Sequence, residues 1–111
     1  MNPDSPETPP IACTLAPPDL QARLEWIARL NAEALREHQR NDRRLELTYA
    51  SDAVERVREM VEHERLCCAF LNISIHEGRD FVTVTLEVPE EGRAVAPMVF
   101  EAFLAGARDT P

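Results

Sequence analysis

The sequence predicts one α+β domain: a three- to four-stranded antiparallel sheet with helices packed mainly on one face. Three observations predict it. Stretches with apolar residues at helical spacing alternate along the chain with short stretches of period two. The 111 residues suffice for a single core and not for two. The composition, 44% apolar and 29% charged, is that of a globular chain rather than a disordered one.

Residues 1–10, MNPDSPETPP, hold four prolines and no large apolar side chain after Met1, so they read as a disordered tail. Residues 11–15, IACTL, bring the first apolar character and are expected as a short strand or packed lead-in, with Pro18 suited to a first helical turn. From Asp19 to about Asn41, Leu20, Leu24, Ile27, Ala28, Asn31, Ala34 and Leu35 share one helical face, flanked by Trp26 and Leu30. His38 continues that stripe and is expected as a packed or half-exposed histidine near the helix end. Residues 44–49 then alternate, with Leu45, Leu47 and Tyr49 inward, as a half-buried strand does.

Ser51 and Asp52 offer a helix start, and Asp52 with Glu55 has capping-box spacing. The helix that follows carries Val54, Val57, Val61, Glu64 and Cys68 on one stripe. Alternation resumes over residues 70–75, Glu77-Gly78-Arg79-Asp80 supplies hairpin turn residues, and Val82, Val84, Leu86 and Val88 form one face of the returning strand. Pro89 ends it. Pro97 is tolerated only in a first turn, so the last helix should begin near residues 93–96, with Val95, Val99, Ala102 and Phe103 inward and Met98 extending that face.

The expected order is (β)-α-β-α-β-β-α, with the domain over residues 11–106 and a frayed end at residues 107–111. Its β-α-β-β-α part has a partial ferredoxin-like resemblance, which by itself carries no function. An open sheet edge and exposed apolar positions such as Phe81 lead us to expect a homodimer.

A formal charge of −8 opposes nucleic-acid binding, which needs clustered cations. Arg36, Arg40, Arg43 and Arg44 do form a basic run, expected as side chains complementing the first helix's C-terminal dipole and a solvated loop. No stretch is apolar enough for a membrane span and the first residues lack signal-peptide character, so a cytoplasmic location is expected. There, thiols are kept reduced, and a disulfide scaffold is not expected from three cysteines.

Those cysteines, Cys13, Cys67 and Cys68, are the distinctive chemistry. On a helix Glu64 lies beside Cys68 and His63 beside Cys67, four positions apart in each case. Glu64 interrupts a buried stripe, and a buried carboxylate must hold a cation, a hydrogen bond, a ligand or a proton unless it reaches solvent or an arginine. The thiols are either packed as small hydrophobes or, if Cys13 meets the pair, ligands of a soft ion such as Zn(II), Cu(I) or Hg(II), with His63, His76 or Glu64 completing the shell. Nucleophilic catalysis ranks lower: the pair sits near a helix C-terminus and beside Glu62 and Glu64, which disfavours a free thiolate. There is no phosphate loop and no hydrolase constellation, so a non-enzymatic role is expected.

Cys13-Thr14-Leu15, Leu47-Thr48-Tyr49 and Glu64-Arg65-Leu66-Cys67-Cys68-Ala69-Phe70 together resemble a group of small uncharacterised bacterial proteins. That group carries Glu-x-x-Cys-Cys-x-Phe with an upstream Cys-x-Leu and is linked to mercury and other heavy-metal resistance settings. The likeness spans roughly residues 11–104 and departs at Ala69, where the group often has proline. It implies a metal role for Cys13, Cys67, Cys68 and Glu64. Three readings follow: a cysteine-based binder of a soft metal or metalloid ion, a structural or interaction module with packed cysteines, and a thiol redox sensor.

Overall fold

The computed structural model describes residues 17–107, without the side chains of residues 17–20 and of Cys67. The expected lead-in strand at residues 11–15, Cys13 within it, and the N-terminal tail lie outside the described residues. The elements are α1 (Pro17–Ala34), β1 (Leu35–Arg40), β2 (Arg44–Ala50), α2 (Val54–Cys67), β3 (Asn72–Glu77), β4 (Phe81–Glu87) and α3 (Ala96–Phe103). The fold class is α+β, with one four-stranded antiparallel sheet in the order β1-β2-β4-β3.

The sheet is built from two hairpins. Asn41 closes the first: its Oδ1 accepts from the amides of Arg43 and Arg44 at 3.2 and 3.0 Å, as an Asn turn does. Gly78 closes the second, its amide donating to Phe81 O at 2.9 Å. Because β4 pairs with both β2 and β3, the unit β2-α2-β3 is split by one strand's width and β4 fills the gap. This is the part of the molecule that is ferredoxin-like.

Period-two side chains make one face of the sheet the core wall. Leu45, Leu47, Tyr49, Val82, Val84 and Leu86 are all buried. Against them pack Ile27, Leu30 and Ala34 of α1, Val57, Met60 and Val61 of α2, and Ala96, Phe100 and Phe103 of α3. At roughly 1.5–3 kcal/mol for each fully buried aliphatic or aromatic side chain, this face is the principal source of stability.

Four local expectations are corrected. The first helix stops at Ala34 and residues 35–40 form β1, a strand read from sequence as helix. A bulge between Leu35 and Glu37 shifts the register, so Leu35 and His38 both turn half-inward, three residues apart. A bulged strand has thereby imitated helical spacing. The arginine run consequently flanks this first hairpin, not a helix end, and Arg40 and Arg43 pair with Glu101 and Glu90. The Asp52 capping box does not form: residues 51–53 make a 3-10 turn, and α2 begins after Ala53 with no side-chain cap. Finally, Met98 is exposed and Phe100 takes the core position. The turn at residues 90–95 leads into α3 with Pro97 in its first turn, as proline geometry demands.

A buried cysteine, carboxylate and guanidinium as the candidate functional site

Helix α2 ends at the feature the sequence singled out. Its stripe of Val57, Val61, Glu64 and Cys68 faces the core, and Glu64 is 5% exposed. Cys68 leaves helical geometry, with φ −123° and ψ 68°, but its amide still donates to Glu64 O at 2.7 Å. The four-residue spacing therefore survives past the last helical turn. It brings Glu64 Oε1 to 3.7 Å from Cys68 Sγ.

A carboxylate this deep needs a counter-charge, and α1 supplies it. Arg23 Nε donates to Glu64 Oε2 at 3.2 Å, and the two side chains are 10% and 7% exposed. The guanidinium also lies over the Trp26 ring, 4.4 Å from its centroid, which gives the cation a second favourable contact. The Nε and Nη2 hydrogens of an arginine form a parallel fork that ordinarily grips both oxygens of one carboxylate. Here the grip is half made. One oxygen of Glu64 faces Arg23 and the other faces Cys68, and Arg23 Nη2 is buried with no hydrogen-bond partner.

Cys68 itself is buried at 2% exposure and is disulfide-bonded. The sequence led us to expect free thiols. A sulfur in a disulfide carries no proton, so in this state the 3.7 Å approach to Glu64 is a contact; it becomes a hydrogen bond only in the thiol form.

Among the described residues, no hydrogen bond joins the other candidates to this centre. His63 is half-buried, and its Nε2 is buried without a partner. His76 is exposed on β3. Arg65 donates to Ile73 O at 2.8 Å and ties the helix end to β3. Cys13 and the Cys67 side chain lie outside what is described. Among the described residues, no three histidine, cysteine or carboxylate side chains cluster as a metal site would require. Arg23 engages one oxygen of Glu64, Oε2.

No family model, curated protein or solved structure matches this chain.

Arg23 is the site residue that sequence reasoning missed. It precedes Ile27, Leu30 and Ala34 at spacings of four, seven and eleven, so it stands on the buried face of α1. A cation on one core-facing stripe and an anion on another are the two halves of a buried pair. Among the described residues, no helix is long and apolar enough to cross a membrane.

Proposed function

We propose that this chain is a thiol–disulfide protein in which Cys68 cycles between a disulfide with a second cysteine and a buried thiol. The observation that carries the reading is the disulfide-bonded Cys68 set against the Glu64 carboxylate. A sulfur packed only as a hydrophobe has no use for a buried ion pair at that distance, since such a pair costs desolvation that apolar packing avoids.

The chemistry balances with a small thiol as reductant. An incoming thiolate attacks one sulfur of the bond, and the other leaves and takes up a proton. A second small thiol releases the mixed disulfide. Two electrons and two protons pass to the protein, and the small thiol leaves as its own disulfide. The chain's other cysteines, Cys13 and Cys67, are the partner candidates, and single serine replacements assign the bond.

The test is equilibration in glutathione buffers of graded ratio, followed by alkylation and intact mass. Structural disulfides lie below about −300 mV and resist the glutathione pool. The proposal expects Cys68 to be half-reduced inside the range of those buffers. A bond that stays closed in excess reduced glutathione is structural and ends the reading.

A second reading rests on the same sulfur pair. Two sulfurs close enough to bond are, once reduced, close enough to hold one soft ion between them. A donor set of two sulfurs suits two-coordinate Hg(II) or Cu(I). The likeness to proteins of heavy-metal resistance settings supports this reading. Reduced protein should take up one Hg(II) per chain, and Cys68→Ser should lose it; uptake unchanged in that variant contradicts it.

A further inference from the structure

Resting on the thiol–disulfide reading, we propose that Glu64, held by Arg23, sets the redox poise of Cys68 by stabilising its thiol form over its disulfide form. Glu64 Oε1 sits 3.7 Å from Cys68 Sγ. In the thiol form the S–H donates to that oxygen. In the disulfide form no proton is there to donate, and among the described residues Oε1 has no other donor.

The half-made grip also leaves an orphan on Arg23. The side chain is nine-tenths buried, its Nε is on Glu64 Oε2, and its Nη2 has no partner. Lying flat against both fork nitrogens would satisfy the guanidinium, yet the carboxylate turns one oxygen to the sulfur. Closing the disulfide thus leaves two buried polar atoms, Glu64 Oε1 and Arg23 Nη2, without hydrogen-bond partners. Opening it satisfies the first. Unsatisfied buried polar groups are costly, and bonds to charged groups are the stronger ones, so the carboxylate weighs on one side of the redox equilibrium only.

Arg23 is a positioning residue: its guanidinium offsets the charge of Glu64 and, through Nε, fixes one carboxylate oxygen so that the other faces the sulfur. The other charged groups near this helix end do not replace it, since Arg65 is spent on Ile73 O and no bond joins His63 Nε2 to the pair. The favoured reduced species is the protonated thiol, in keeping with the negative end of α2 beside it.

The test is the glutathione exchange equilibrium of the full chain. Glu64→Gln removes the charge and keeps the shape; Arg23→Lys keeps the charge and removes the fork. Both should move the equilibrium toward the disulfide, Glu64→Gln by roughly tenfold, equivalent to about 30 mV for this two-electron couple. An equilibrium unchanged in both variants overturns the proposal. So does a shift toward the thiol. If either variant fails to fold, the wild-type chain decides: the side-chain carboxyl 13C resonance of Glu64 must shift when Cys68 is reduced, and an unmoved resonance refutes the coupling. Failure of the parent reading looks different, because then the wild-type bond does not open in glutathione at all.

Discussion

Asn31 and Tyr49 satisfy each other in the middle of the core: the Tyr49 hydroxyl donates to Asn31 Oδ1 at 2.8 Å. The Asn31 amide nitrogen in turn donates to Phe103 O at 2.8 Å and Ala105 O at 2.7 Å. One side chain of α1 thereby joins β2 to the orphan carbonyls at the end of α3. Asn31→Leu leaves two carbonyls unpaired and the buried hydroxyl with only the weak acceptor Met60 Sδ at 3.9 Å, and should lower unfolding stability by about 3 kcal/mol. Tyr49→Phe removes the bond to Asn31 and the weak one to Met60 Sδ at 3.9 Å, and should lower it by about 1 kcal/mol. Urea midpoints at constant slope measure both.

Tyr49 also predicts an alkaline limit. Burial pushes its hydroxyl pKa well above the ordinary tyrosine value of 10.0. The folded state thus prefers the neutral phenol more than the unfolded chain does. Its contribution is complete below the unfolded pKa of about 10 and is lost as pH rises from there toward the folded value. Stability followed from pH 9 to 11 should fall in the wild type and fall less in Tyr49→Phe.

The buried ion pair makes a double-mutant prediction. Removing one partner, as in Glu64→Leu or Arg23→Met, strands a charge and should cost about 3–5 kcal/mol. Removing both should restore most of that loss, because the apolar replacements avoid the desolvation the pair carries. A double variant as unstable as the sum of the singles argues that the two side chains do not act as a pair.

Gly106 occupies the left-handed region, φ 76°, just after the last helix. A Cβ there would meet the backbone of Ala28, 2.7 Å from its Cα and closer still to its carbonyl oxygen. Gly106→Ala should therefore destabilise the α1–α3 contact by more than the roughly 1–2 kcal/mol of the backbone conformation alone. Thermal unfolding reads this directly.

Much of the architecture was legible because side-chain periodicity records which face is buried. Val82, Val84 and Leu86, and Leu45, Leu47 and Tyr49, alternate without interruption and are the core wall. Strand β1 was not legible, since its bulge places Leu35 and His38 three apart and its Glu, Gln and Arg favour helix locally. Pairing with β2 overrides that preference. At the site, the Glu64–Cys68 neighbourhood follows from a spacing of four, and the buried carboxylate announced a missing cation. That the cation is Arg23, 41 residues away, depends on how α1 and α2 pack on the sheet, which no local pattern encodes.

The most direct measurement is the intact mass of the folded chain, first reduced and freed of reductant, carried through mild peroxide and then reduced glutathione. Peroxide should remove two hydrogens and glutathione restore them, with both changes abolished in Cys68→Ser. A mass that neither falls under oxidant nor recovers under glutathione contradicts the thiol–disulfide reading.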